Sequence, residues 1–320
     1  MNINPEIRNG YYISEEMKTL WAVELKLLKK LLDVCKKNDL KIWADSGTLL
    51  GAVRHHGFIP WDDDIDMVMP REDFDKLQNL AKTEFTSPFF WQSGYTDLFP
   101  NGMGKLRMDN TTAIERASLF KDYHQGIFID IFPLDVMPNE QEDIETFNNE
   151  VLKLKSNLSI ICEHHYSLTN WRYNFYLYKK VKKLKKRGFH KYFEDYDNYV
   201  KKYKDTDNGQ VSLIAWYYHE RNLRKRDWYN KTLYCSFEDI LIPIPADYDL
   251  ILTKAYGDYM TPIQAPSMHE GFICIRTDCS YKEFLPSLRR KYAKEVWLNR
   301  KNRFISYLKS IKLCSYLLSL

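Results

Sequence analysis

The 320-residue chain has six cysteines (Cys35, Cys162, Cys235, Cys274, Cys279, Cys314) but no C-x-x-C pair, and no histidine stands at zinc-finger spacing from any of them. That pattern excludes a zinc ribbon or thioredoxin-like motif and fits ordinary buried thiols in a reducing compartment. A run of eighteen apolar residues is lacking, which argues against a membrane-spanning helix. The opening MNINPEIRNGYY has neither a basic n-region nor an apolar h-region. The expected location is therefore cytoplasmic, or peripheral on the inner face of the plasma membrane. There is no internal repeat and no low-complexity linker. The net charge of +4 is too small to argue for a nucleic-acid partner. What is present is an apolar fraction of 44%, enough for a real core.

Ser14, Glu15 and Glu16 start a helix, and Met17, Leu20, Trp21, Leu27, Leu28, Leu31 and Cys35 recur at three- and four-residue steps, predicting an amphipathic helix over 15–37. KIWA (41–44) reads as a short strand, TLLGAVR (48–54) as a short helix opened by Gly47, and HHGFIP as a loop. DIDMVM (64–69) alternates at period two, so Asp64 and Asp66 share one strand face and Ile65 and Met67 the other. A helix near 71–82 and strands at 89–92, 103–108, 111–115 and 126–132 follow. Residues 139–205, with few Gly or Pro, read as helical, and a later helix ends at Gly257. The fold class is α+β, a mixed sheet with flanking helices and a largely helical C-terminal part, with a boundary near residue 138.

Asp62, Asp64 and Asp66 at alternate positions repel one another and stay ionised together only around something positive. Oxygen-only ligands suit Mg²⁺ or Mn²⁺. A calcium-binding EF-hand loop is rejected, because its required glycine would fall at Met67 and its terminal glutamate at Asp73. Gly47-Thr48 at a strand-to-helix junction offers backbone N–H groups, a hydroxyl and the positive end of a helix dipole, which is an anion site. Asp130 is likewise a lone acid in an apolar strand, where burial without a metal or a partner would be costly. Asp135 reads as a turn residue after Pro133.

The stretch DSGTLLGAVRHHGFIPWDDDIDMVM (45–69) resembles the signature of the LicD-type phosphotransferases, relatives of fukutin and fukutin-related protein within the nucleotidyltransferase (polymerase-β-like) superfamily. KLRMDNTT (105–112), GIFIDIFPLD (126–135) and IPIPADYDLILTKAYGDYM (242–260) with His269 downstream also match, in the family's order. In place of the family's usual Pro-Pro and Arg before that histidine, this chain has TPIQAPSMHEG, with Thr261-Pro262 and no Arg. The resemblance implies a nucleotidyltransferase-fold catalytic core over 1–138 and a mostly helical region, 139–320, that completes the site. It implies that Gly47 and Thr48 cradle phosphate and that Asp64, Asp66 and Asp130, with Asp62, hold Mg²⁺ or Mn²⁺. Arg54, Lys105, Arg107 and His269 are then the substrate-binding candidates, whereas His55 and His56 shape the loop.

The implied reaction is transfer of a substituted phosphoryl group, phosphocholine from CDP-choline in the leading reading, onto a hydroxyl of a cell-surface glycan such as teichoic acid, capsule or lipopolysaccharide, with release of CMP. Asp130 would complete a second metal site or take the hydroxyl's proton. Glycerol phosphate or ribitol phosphate from a CDP donor is the first alternative. A D-x-D glycosyltransferase or a non-catalytic glycan-binding relative is the second, disfavoured because too little chain precedes Asp45 for a nucleotide-sugar half-domain and because no signature residue is lost. RYNFYLYKKVKKLKKRGFHK (172–191), with nine Lys/Arg and no acid, and the terminal amphipathic segment 304–320 are candidate contacts for an anionic membrane or a lipid-linked, polyanionic acceptor.

Overall fold

A computed structural model describes residues 1–163, 170–214, 222–264 and 272–310, without the side chains of 171, 296, 300 and 302–310. Its elements are β1 (Glu6–Arg8), β2 (Tyr11–Ile13), α1 (Glu15–Lys37), β3 (Trp43–Ala44), α2 (Ser46–His55), β4 (Asp66–Pro70), α3 (Arg71–Glu84), β5 (Phe89–Gln92), β6 (Gly104–Met108), β7 (Thr112–Ile114) and β8 (Phe128–Val136). After these come α4 (Gln141–Cys162), α5 (Trp171–Arg187), α6 (Phe189–Val200), β9 (Gln210–Ser212), β10 (Arg224–Lys225), β11 (Thr232–Phe237), β12 (Ile240–Pro245), α7 (Tyr248–Tyr256), β13 (Cys274–Arg276) and α8 (Tyr281–Ser310). The fold is α+β.

α1 forms where its caps and periodicity predict. Ser14 accepts from the Met17 amide at 3.2 Å, Glu15 and Glu16 lie in the first turn and Lys36 and Lys37 in the last. Its apolar stripe, including Trp21, Leu28 and Leu31, packs on a seven-stranded sheet running β10-β9-β8-β4-β3, with β6 also paired to β8 and β5 to β6. β8 is the hub. It lies parallel to β4, which places Asp66 opposite Asp130, and antiparallel to β6, which places Lys105 opposite Asp130. Its far end pairs with β9. Strands from both sides of residue 138 therefore share one sheet. The β11–β12 hairpin adjoins β3, with Trp43 Nε1 donating to Thr232 Oγ1 at 2.8 Å.

α4 and α6 enclose a second buried cluster built on Phe147, Val151, Leu158, Phe193 and Tyr196. α7 ends at Gly257, whose φ of 67° closes the helix without a Cβ penalty. Asp135 is not in a turn. It lies inside β8, 1% exposed, and accepts from Arg71 Nε and Nη2 at 2.6 and 2.8 Å, because the buried Arg71 at the head of α3 supplies its charge partner. Among the described residues no helix is long and apolar enough to cross a membrane.

Candidate active site

The centre of the site is a row of side chains across three strands. Asp66, Asp130 and Lys105 are in direct register on β4, β8 and β6, so all three point to one face of the sheet. Lys105 Nζ lies 2.6 Å from Asp130 Oδ1 as an ion pair, without the alignment of a hydrogen bond, and 3.5 Å from the centre of the Phe128 ring. β4 begins only at Asp66, two residues later than the alternation predicts. Asp64 therefore stands just ahead of the strand, although Asp130 N still donates to Ile65 O at 2.8 Å. The reason is the path of the chain, since Asp62, Asp63 and Asp64 curl so that one carboxylate oxygen from each lies within 4.8 Å of the others.

α2 meets these acids with its N-terminus. Asp66 N donates to Thr48 Oγ1 at 2.8 Å and Asp45 N to Asp66 O at 3.0 Å, which ties the first turn of the helix to the start of β4. A Cβ on Gly47 would collide with Asp62 Oδ2, so glycine is what lets that carboxylate approach the helix end. Ser46, just before it, holds a left-handed backbone at φ 47°, the kind of strain that persists where surrounding structure over-determines it. Burial raises the Asp66 carboxyl well above its ordinary range, and Asp64, Asp130, Asp62 and Asp45 add to the effect. Crowded carboxylates with only oxygen donors are the chemistry of a hard divalent cation, and the residues present fit Mg²⁺ or Mn²⁺.

The remaining predicted residues are placed as follows. Arg54, in the last turn of α2, donates from Nη1 to Tyr259 O at 2.7 Å and from Nε to His55 Nε2 at 2.9 Å, so it joins α2 to the segment after α7 rather than pairing with the Asp strand. His55 is pushed down to about 4 by burial and by Arg54, and accepts as a neutral ring. His56 caps α2 in a left-handed conformation. Arg107 lies on the face of Lys105, 2% exposed and stacked on Phe128 at 4.6 Å, with Nε donating to Gln92 Oε1 and Nη1 to Gly126 O. His269 and residues 311–320 lie outside the described residues, as do the side chains of 304–310.

Two neighbours of the site, Arg224 and Glu24, escape a motif reading, and a third, Tyr256, lies in the quoted run 242–260 without being singled out there. Arg224 of β10, 4% exposed, donates from Nη1 to Asp45 Oδ1 at 2.7 Å and to Tyr229 Oη at 2.6 Å, bracing the α2 N-cap from beneath. Burial opposes its charge, but Asp45 and Tyr229 outweigh that and hold it above the ordinary arginine value. In the sequence it is one of several cations in NLRKRDWYN, with nothing to single it out. Tyr256 of α7, 44% exposed as a residue, has its phenol raised by partial burial and by Asp45, Asp66 and Asp62. Glu24 of α1 is 2% exposed and is raised well above the carboxylate range by burial and then by Asp64, Asp63, Asp62 and Asp130. Its signal was a gap, since Glu24 stands where the stripe of α1 calls for an apolar residue. Beside Arg224 opens a cleft of about 940 Å³, lined also by Lys225, Arg226, Trp228 and Lys254.

With this geometry in place, comparison with known proteins points to one family. The family described as "LicD/FKTN/FKRP, nucleotidyltransferase domain" matches residues 39–166. A lipopolysaccharide cholinephosphotransferase LicD of Haemophilus influenzae is 27% identical over 240 residues, 74% of this chain and 88% of its own. Residues 39–166 of the chain thus match the LicD-type nucleotidyltransferase domain, and the likeness to a LicD protein extends over 74% of the chain. An uncharacterized protein of Rickettsia prowazekii is 34% identical over 113 residues, 35% of this chain and 39% of its own, and one of Rickettsia typhi 44% over 86 residues, 27% and 25%. The LicD-type match contains Gly47, Thr48, Arg54, Asp62, Asp64, Asp66, Lys105, Arg107 and Asp130. Glu24, Arg224 and Tyr256 reach the same site from outside it.

Proposed function

We propose that this LicD-type protein is a phosphotransferase that moves a substituted phosphoryl group, phosphocholine from CDP-choline, onto a hydroxyl of a cell-surface glycan and releases CMP. The observation that carries the reading is the Asp66–Asp130–Lys105 row facing the Asp62–Asp64 turn at the N-terminus of α2. Choline as the carried group rests on the Haemophilus influenzae relative's name.

Asp62, Asp64, Asp66 and Asp130 would hold Mg²⁺ or Mn²⁺, which when bound neutralises charge on the donor diphosphate and on the departing CMP. The chain's own residues do the positioning. The first-turn amides of α2 at Gly47 and Thr48 would receive phosphate oxygens, with the helix dipole behind them. Lys105, at the end of the row, adds a positive charge next to Asp130. Asp130 would either complete a second metal site or take the proton of the attacking hydroxyl. Little base strength is needed where the transition state is loose, so placement of charge matters most. Arg107, held by Gln92 and Gly126, keeps the Lys105 face in shape. The cleft beside Arg224, with Trp228 as a stacking surface and Lys225 and Arg226 as cations, suits an anionic glycan.

The test offers the purified protein CDP-choline, CDP-glycerol, CDP-ribitol and UDP-sugars with Mg²⁺ or Mn²⁺ and follows nucleotide release. CMP release from CDP-choline, abolished by EDTA and by Asp64→Ala or Asp66→Ala in folded protein, is the expected result. Wild-type turnover in either variant, or release of UDP alone, overturns the assignment.

A further inference from the structure

Glu24 is an acid buried in the wrong place for a structural residue. α1 is apolar along the stripe that meets the sheet, and Glu24 sits in it one turn after Trp21. Trp21 fixes which way that stripe looks, because its Nε1 donates to Asp62 O at 2.9 Å. Residues three apart share a helix face, so Glu24 looks onto the same acidic turn. The order of the charges acting on it, with Asp64 first, then Asp63, Asp62 and Asp130, gives the same direction.

Its Oε2 is buried and has no hydrogen-bond partner. Three other buried acids have cation partners, Asp45 in Arg224, Asp130 in Lys105 and Asp135 in Arg71. Among the described residues no cation pairs with Glu24. A carboxylate with an orphaned oxygen among like charges is expensive in the free protein and is retained only where something positive shares the volume.

We propose that Glu24 is a positioning residue of the metal site, whose Oε2 accepts hydrogen bonds from water ligands of the divalent cation held by the aspartates. This rests on the metal reading given above. Outer carboxylates of this kind orient what the direct ligands hold, and their loss weakens metal binding by about 10- to 100-fold.

The test measures Mn²⁺ binding by electron paramagnetic resonance, and melting in EDTA against melting in excess Mn²⁺, for wild type, Glu24→Gln, Glu24→Leu and Asp64→Asn. For both Glu24 variants the expected result is Mn²⁺ affinity lowered about 10- to 100-fold. In EDTA they should melt at or above the wild-type temperature, since a buried acid whose ionisation is disfavoured has left the acidic crowd, and their gain in melting temperature with Mn²⁺ should shrink. Leucine restores the apolar stripe, so folding in EDTA is secured by a second variant. Wild-type Mn²⁺ affinity in both Glu24 variants, with loss only in Asp64→Asn, overturns the proposal and leaves the metal reading standing. Lowered melting of both variants in EDTA assigns Glu24 a purely structural role and also overturns it. Absence of Mn²⁺ binding in the wild type overturns the metal reading and this proposal together.

Discussion

At the scale of single residues, the site's environment is set by side chains whose usual charge the fold refuses. His124 is the clearest case away from the acids. Its Nδ1 accepts from Gly126 N at 3.1 Å, which leaves the proton on Nε2, 3.0 Å from Asp109 Oδ1, and its ring stacks on Phe90 at 4.9 Å. Burial, and then Arg107, push it down to about 4 from an ordinary value of 6.5, against the pull of Asp109. The sign follows from proton counting. Between those two values the unfolded chain binds a proton that the folded one declines, so the stabilisation is complete above 6.5 and is lost as pH falls toward 4. The span corresponds to roughly 3 kcal/mol. His124→Phe keeps the ring stack and removes the titration. Urea midpoints taken from pH 7.5 down to 4.5 should fall distinctly less steeply in the variant, though it starts lower at neutral pH. Parallel slopes would show that His124 does not titrate as described. Nothing in the sequence marks this residue, because its neutrality comes from burial and from Arg107, which only the closed sheet brings to it.

At the scale of elements, α5 carries a question that the Asp66–Asp130–Lys105 row leaves open. Leu177, Val181 and Leu184 face inward, while Phe175 and Tyr176 are exposed. Lys179 Nζ lies 4.3 Å over the Phe175 ring, and Lys182, Lys183 and Lys186 continue the outward side at helical spacing. A helix with an aromatic and basic outer face is suited to an anionic lipid surface. The protein is expected to sediment with phosphatidylcholine vesicles containing about one-third phosphatidylglycerol and not with pure phosphatidylcholine, with binding weakened by salt. Replacing Lys179, Lys182, Lys183 and Lys186 with Gln should abolish co-sedimentation, each lysine contributing about 1 kcal/mol. Unchanged sedimentation of that variant would remove α5 as the contact.

Elements of this kind were legible because their periodicity is local. α1 runs over the predicted 15–37 and β5 over FFWQ, and the helix opened by Gly47 is α2. The short strands β9, β10, β11 and β13 were not legible. They have two to six residues and no strong alternation, and they exist because a partner strand is presented to them. Of the candidate site, the acids and Gly47-Thr48 could be read from spacing, since metal and phosphate chemistry needs them close in the chain. Glu24 and Arg224 could not be read as site residues, since their placement depends on how α1 and β10 pack.

At the scale of the whole molecule, the pair Arg224–Asp45 decides whether the late strands are attached to the site or merely near it. The two residues are 179 apart in the chain, and their ion pair is 3% and 0% exposed at the side chains. It joins β10, at one end of the sheet, to the residue that opens α2 and whose amide is bound to Asp66 O. Removing one partner of a buried pair strands the other charge, at a cost of about 3–5 kcal/mol, whereas removing both charges costs far less. Arg224→Met should therefore destabilise the whole protein in a single cooperative transition and slow transfer, because the stranded Asp45 charge disturbs the backbone that opens α2 and meets Asp66. The double variant Arg224→Met/Asp45→Asn should recover much of the stability without recovering the rate. Chemical denaturation and transfer assays on the two single variants and the double close the cycle. If the single effects simply add, the pair is not coupled, and the sheet beyond β9 is a neighbour of the site rather than part of its foundation.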